Sequence, residues 1–437
     1  MFQRVTRTTT LTATVESLAP GGDGVAIVEH GGERRAVFLA GTAPGDVVAA
    51  EVDFSRRPAR GRVIELRTAG PDRVTPACPW VERCGGCDWM HLSTGAQARA
   101  HADLLRAALP APWRDVPVEV HAAPPTLAYR ARARLHVRSG KGGRVEVGMH
   151  EAGTHDPVPV ERCAVLDPAL EAARRALAPL LEGCRGRGDA QLALGVDRRP
   201  VLELRWHGDV APATFARLER AVAAGELAGA RVRLAESTRP AVVGDPTPWT
   251  TGADGAPLRL PPGGFAQAHE AMNASLARYV AERARAAAAD KAVELYAGAG
   301  NLSVLLAREV RELVLVESSR DACEAARANL AARGLRARVV EASADDHAWS
   351  PATRLLVLDP PRTGARAVAE RLAAAPRVAH VVYVSCDPQT LGRDLALLAP
   401  AYAARAVAAF EMFPQTSHLE AVVTLERVRG HGKGAAA

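Results

Sequence analysis

Cys386 follows the hydrophobic run 380–385 and is itself followed by Asp387-Pro388. The proline sets up a tight exit and a helix can begin near Thr390. The thiol is therefore expected beside a helix N-terminus, where a thiolate is favoured and can act as a nucleophile. Asp359 closes a second hydrophobic run, 354–358, and can accept a hydrogen bond from a planar substrate, with Pro360-Pro361 stiffening its loop. Glu420 opens the run 421–425. A carboxylate there can serve as general base, although taken alone it reads as a surface charge.

A second group of residues could hold a cofactor. The buried run 292–296 leads into Gly298-Ala299-Gly300-Asn301, whose glycines let backbone approach a ligand. Glu317 ends the next run, 19 residues after Gly298, where an acid can accept both hydroxyls of a ribose. Together they point to a nucleoside-containing cofactor. A dinucleotide fingerprint would place a third glycine at position 303, which is Ser303. A cofactor without a pyrophosphate needs no such cradle, and Glu294 before the loop can reach an amino group. The balance favours S-adenosylmethionine over NAD.

The seven cysteines are Cys78, Cys84, Cys87, Cys163, Cys184, Cys323 and Cys386. An odd count behind a start with no signal-peptide core does not read as a disulfide framework. Cys78, Cys84 and Cys87 have the spacing C-x5-C-x2-C, and Cys163 is a fourth candidate ligand. Four thiolates can hold zinc or an iron–sulfur cluster, and spacing alone leaves both open. Cys184 and Cys323 read as core residues.

These groups need elements to position them. A length of 437 residues predicts two or three domains. With 48% hydrophobic and 24% charged residues, wholesale disorder is excluded. No apolar run approaches the ~18 residues of a membrane-spanning helix, so a cytoplasmic protein is expected. The net charge of +6 is compatible with nucleic acid without deciding for it. Residues 8–67 hold five strand-like runs (11–18, 24–30, 35–40, 46–54 and 61–67) separated by glycine-rich turns. They predict a small barrel of oligonucleotide-binding type, with a basic rim of Arg56, Arg57, Arg60, Arg62 and Arg67. In the middle region Arg130, Arg132, Arg134, His136 and Arg138 alternate with apolar residues. On a strand they share one face and form a stripe suited to a phosphate backbone. Residues 266–428 alternate strand and helix as a doubly wound α/β domain, whose ligand edge is the carboxyl ends of its strands. The expected division is 1–70 barrel, 71–265 mixed α+β middle domain with a linker helix, 266–430 catalytic domain and 431–437 disordered tail.

Four motifs now carry a resemblance. They are Leu295-Tyr296-Ala297-Gly298-Ala299-Gly300-Asn301, Asp359-Pro360-Pro361-Arg362-Thr363-Gly364, Tyr383-Val384-Ser385-Cys386-Asp387-Pro388 and Met412-Phe413-Pro414-Gln415-Thr416-Ser417-His418-Leu419-Glu420. In this order they resemble the RNA uridine-5-methyltransferase family over nearly the whole chain, and the N-terminal barrel is similar to the TRAM RNA-binding domain. The resemblance implies a class I S-adenosylmethionine-dependent methyltransferase fold, with Cys386 as nucleophile toward carbon 6 and Glu420 as base. It implies that Gln267, Tyr296, Asn301, Glu317 and Asp359 line the S-adenosylmethionine and uracil site. Gln267, in Phe265-Ala266-Gln267-Ala268, enters only through it. It further implies a [4Fe–4S] cluster on Cys78, Cys84, Cys87 and Cys163. The implied substrate is structured RNA, with 23S rRNA favoured and tRNA the alternative. Cytosine-5 methylation and a non-catalytic iron–sulfur RNA-binding protein are rivals. No membrane and no obligate protein partner is expected, and the chain is expected to be a monomer. Two positions depart from the family pattern, both usually Asn: Asp387 after the nucleophile, and His269 two residues after Gln267. The charge of Asp387 is expected to raise the pKa of the neighbouring thiol.

Overall fold

The computed structural model describes residues 8–140, 144–151, 154, 156–235, 237–374 and 377–428. The tail expected at 431–437 lies outside the described residues. Strands β1 (Thr8–Thr14), β2 (Ser17–Leu18), β3 (Gly24–His30), β4 (Glu33–Leu39), β5 (Val47–Asp53) and β6 (Ala59–Thr68) form one sheet in the order β1-β5-β6-β4-β3-β2. The run 11–18 bends at Val15-Glu16. Val15 N donates to Asp46 O and Glu16 N to Val25 O, so the bend joins the ladders at the two ends of the sheet and closes it. Alternate residues, among them Ala26, Val37, Leu39, Val48, Ala50 and Val52, fill the interior, as the two-residue period of a strand requires. On the rim Arg56 pairs with Asp53, Arg60 with Asp23, Arg62 with Glu51 and Arg67 with Glu65. Such exposed pairs contribute only about 0.2–1 kcal/mol each. Four of the five rim arginines thus stand in exchangeable ion pairs, and among the described residues Arg57 alone of the five meets no carboxylate.

The middle region builds a seven-stranded sheet from β8 (Arg132–Ser139), β9 (Val145–His150), β10 (Pro157–Val158), β11 (Arg185–Leu194), β12 (Pro200–Asp209), β13 (Gly229–Leu234) and β14 (Ala241–Gly244). Its order is β10-β9-β8-β11-β12-β13-β14. Helices α2 (Pro168–Leu180) and α3 (Pro212–Ala223) cover its apolar face, and a hairpin of β15 (Trp249–Thr251) and β16 (Pro257–Arg259) leads onward. The alternation along β8 is as expected, with Ala131, Ala133, Leu135 and Val137 buried. The basic face is not the uniform stripe that was expected. Asp189 on β11 meets both Arg134 and His136, while Glu146 on β9 and Asp156 meet Arg138. Neighbouring strands supply these acids, and such cross-strand partners leave no trace in the run itself. Arg130 and Arg132 meet no carboxylate among the described residues. They stand over Phe413 and Phe265, at 5.9 and 5.5 Å from the ring centres.

The third layer is the doubly wound α/β sheet. It comprises α4 (Glu270–Ala286), β17 (Lys291–Leu295), α5 (Ser303–Glu309), β18 (Glu312–Glu317), α6 (Arg320–Ala331), β19 (Arg338–Glu341), β20 (Leu355–Leu358), α7 (Arg366–Ala374), β21 (His380–Ser385), α8 (Pro388–Leu398), β22 (Tyr402–Phe410) and β23 (Glu420–Arg427). Strands β17 to β21 are parallel, and β23 runs antiparallel to β21. Leu355, Leu356, Val357 and Leu358 are all 0% exposed, the continuous apolar run of a strand covered on both faces. An eighth strand, β7 (Val118–His121), pairs in parallel with β22 at the sheet edge. Helix α1 (Thr94–Ala108), capped by Ser93, packs Leu104 and Leu105 into the same core as Leu395, Tyr402 and Val407. Residues 94–121, read from sequence as part of a middle unit, thus lie on the α/β sheet.

Candidate functional site

The turn after β17 is left-handed at Tyr296 (φ 62°), Gly298 (φ 56°) and Gly300 (φ 85°). Glu317 fastens it from the next strand end. One carboxylate oxygen accepts from Gly298 N at 2.9 Å, the other from Ser319 N at 2.7 Å. The Ser318 hydroxyl also donates to the second oxygen, at 3.3 Å, so the oxygen bonded by Gly298 keeps a lone pair for a further donor. Asn301 and Asn273 exchange two side-chain hydrogen bonds, of 2.7 and 2.9 Å. The phenol of Tyr296 donates to Asp345 at 2.8 Å. Glu294 lies in the core, where Ser303 Oγ donates to it at 2.5 Å. Burial pushes its carboxyl up to about 8. Gln267 carries a buried carbonyl oxygen with no protein donor. A buried acceptor left open in this way fits a ligand donor, and an amino group is what the methionine end of S-adenosylmethionine offers.

Asp359, Cys386 and Glu420 meet at the carboxyl edge of β20 and β21. Ser385 pairs with Ala421 in the antiparallel ladder, so the next register position sets Cys386 across from Glu420. Burial pushes Asp359 up to about 7. Burial and the neighbouring Asp359 charge hold Glu420 well above the usual carboxylate range. The Cys386 thiol is pushed up to about 12, by burial first and then by Glu420 and Asp359. Arg362 is the cation that opposes the rise at both Cys386 and Glu420. In the free site Cys386 and Glu420 are therefore held toward their protonated forms, and Asp359 is poised near neutrality.

The two departures from the family pattern both prove to be helix caps. Asp387 accepts from Gln389 N at 3.0 Å and Thr390 N at 2.9 Å, capping α8. Its charge is spent on those amides, and the groups that raise the thiol are Glu420 and Asp359 rather than Asp387. His269 accepts a long hydrogen bond, 3.5 Å, from Met272 N at the start of α4 and donates to Pro125 O at 2.9 Å. Burial lowers its pKa, which keeps the ring neutral and Nδ1 an acceptor. An Asn at this position would cap in the same way.

The loop between β22 and β23, which delivers Glu420, is gripped by residues that sequence reasoning did not single out. Trp89 N donates to Gln415 O at 3.0 Å, and Gln97 bonds both the side chain and the backbone of Gln415. His101 bonds Thr416 O at 3.1 Å, Tyr129 OH donates to Pro414 O at 3.1 Å, and Asp88 holds Ser417. No local pattern marks these partners. Arg362 was visible as part of a motif, but its electrostatic task was not.

Cys78, Cys84, Cys87 and Cys163 line one apolar pocket together with Arg130 and Met149, and all four are free thiols. Burial raises Cys84 and takes Cys87 up to about 12. Among the described residues no group of three or more His, Cys, Asp or Glu is arranged to hold a metal ion. Cys184 and Cys323 are buried, as expected of core residues. No described helix is long and apolar enough to cross a membrane.

The tRNA (Uracil-5-)-methyltransferase family profile matches residues 257–428 and the TRAM domain profile residues 4–64. The 23S rRNA (uracil(1939)-C(5))-methyltransferase RlmD of Cronobacter sakazakii is 32% identical, covering 97% of this chain and 98% of its own. The enzyme of the same name from Methylococcus capsulatus is 34% identical, covering 95% and 97%. The crystal structure of Pyrococcus abyssi tRNA (uracil-54, C5)-methyltransferase in complex with S-adenosyl-L-homocysteine superposes with a TM-score of 0.74. It covers 95% of this chain and all of that one at 21% identity, and so shares the fold.

The half-buried thiol predicts slow alkylation. With a pKa of about 12, the rate at which iodoacetamide labels Cys386 in the free protein should rise about tenfold per pH unit from about pH 7 to about pH 10, because only the thiolate reacts. Mass spectrometry of the Cys386 peptide follows it, and a plateau near about pH 8 contradicts the assignment.

Proposed function

The chain belongs to the RNA uracil-C5-methyltransferase family, and from that premise we propose that it methylates carbon 5 of a uridine in 23S rRNA through a covalent Cys386 adduct. The observation that supports this most is the meeting of Cys386, Glu420 and Asp359 at one sheet edge, beside the turn fastened by Glu317.

Carbon 5 of uracil is too weak a nucleophile to take a methyl group unaided. As the base enters, Cys386 and Glu420 give up their protons to water; Cys386 adds as the thiolate, the form Arg362 favours, and a sulfur–carbon 6 bond forms. The former C5=C6 electron pair becomes an enolate with nucleophilic character at carbon 5. S-adenosylmethionine supplies an electrophilic methyl group on a sulfonium. Glu420, as carboxylate, then takes the carbon 5 proton, the electrons restore the double bond, and the thiolate leaves. Asp359 accepts from the ring N3–H and orients the base. Toward the cofactor, Glu317 accepts the ribose hydroxyls, the open carbonyl of Gln267 accepts the amino group, and Asn301 and Tyr296 shape the walls. The target base must leave its stack to reach this edge. Phe265, 69% exposed beneath Arg132, offers a surface for it or a neighbour.

The four cysteines suit a [4Fe–4S] cluster. An apolar pocket lined by four thiols and an arginine matches a large anionic group. On this reading 1–70 is the RNA-binding barrel, 71–265 the cluster domain, apart from the stretch 94–121 that packs on the α/β sheet, and 266–430 the catalytic domain of a cytoplasmic monomer.

Three outcomes follow. Nucleoside mass spectrometry of a deletion strain should show 5-methyluridine lost from one position of 23S rRNA, and loss confined to tRNA overturns the substrate. Cys386→Ala should abolish turnover, while Glu420→Gln should leave protein and RNA joined on a denaturing gel; free turnover by either variant refutes its role. Anaerobic purification should give brown protein absorbing near ~400 nm with roughly four irons per chain, and a colourless zinc protein overturns the cluster.

A further inference from the structure

The residue after Cys87 is fixed at both ends of its reach. Asp88 accepts from Ser417 N at 2.8 Å and from Ser417 Oγ at 2.5 Å. A side chain at Gly22, in the barrel, would collide with its carboxylate. Trp89, 0% exposed, donates its indole N–H to Gly22 O at 3.1 Å and its backbone N–H to Gln415 O at 3.0 Å. The two-residue strap 88–89 thus lies between a barrel turn and the loop that ends at Glu420, three residues beyond Ser417.

We propose that Asp88 is a positioning residue for the base step: through Ser417 it sets where the Glu420 carboxylate stands, and it ties that setting to the cysteine pocket next door. The inference rests on the roles given above to Cys386 and Glu420. Asp88 bonds to the loop and to neither the nucleophile nor the cofactor turn, so its reach into the site runs through the loop. Addition of Cys386 to carbon 6 and methyl transfer to carbon 5 do not need Glu420. Only removal of the carbon 5 proton, with return of the electron pair and release of the thiolate, does. Loss of the Asp88–Ser417 contact should therefore slow the last step and leave the earlier ones intact.

RNA carrying 5-fluorouridine separates them. Fluorine replaces the proton that Glu420 removes, so the reaction stops as a covalent adduct whose formation reports addition and methyl transfer alone. Asp88→Ala should capture fluorinated RNA at the wild-type rate. Its turnover of uridine RNA should fall ~10-fold or more, the scale of loss for a misplaced catalytic group, and the uridine adduct should accumulate on a denaturing gel. Ser417→Ala, a smaller cut that guards against misfolding of the first variant, should do the same. The double variant should be no slower than the slower single one, because both remove one contact. Unchanged uridine turnover in both variants overturns the proposal, as does capture that falls in step with turnover. Wild-type protein that leaves fluorinated RNA uncaptured overturns the adduct reading itself and, with it, this inference.

Discussion

Three acidic groups packed into one dry edge of a sheet cannot all be charged. A thiol and two carboxyls share that edge; loss of water raises all three, repulsion raises Cys386 and Glu420 further, and these two are held toward their protonated forms in the free protein. Everything nearby answers to this constraint. The register of β21 against β23 brings the groups together. Arg362 supplies opposing charge, and Asp387 is turned away to serve helix amides. The site is consequently quiet until a planar, hydrogen-bonding ring fills it and replaces the missing solvent.

The readable parts of the molecule were those with local causes. Strand ends, glycine turns and the acid after the next strand located Gly298, Glu317, Asp359 and Cys386, because each sits where a hydrophobic period breaks. The alternation of β8 was equally plain. Its ion pairs were not, since Asp189 and Glu146 arrive on neighbouring strands. Asp387 was read as a charge beside a thiol, although Asp before Pro at a helix start is also a capping pattern, and the cap is what the fold uses. The hold of Asp88 on Ser417 spans 329 residues of chain, and nothing in either neighbourhood announces it.

Glu420 illustrates how a residue's meaning depends on its support. Its position in the sequence resembles that of many surface carboxylates. It becomes a buried group because the loop before it is pinned by Trp89, Gln97, His101 and Tyr129. Those side chains come from the stretch that links the barrel to the middle sheet. The linker is thereby part of the candidate site's scaffold.

The edge strand β7 has a further consequence. It is laid against β22 although roughly 280 residues of chain separate them in synthesis order. A gene fragment cut to the span of the recognisable catalytic family profile would begin long after β7 and would leave the backbone of β22 with a bare flank. Such a truncation would leave seven of the eight strands with an unpaired, adhesive edge, so the outermost strand of that sheet belongs to the front of the chain.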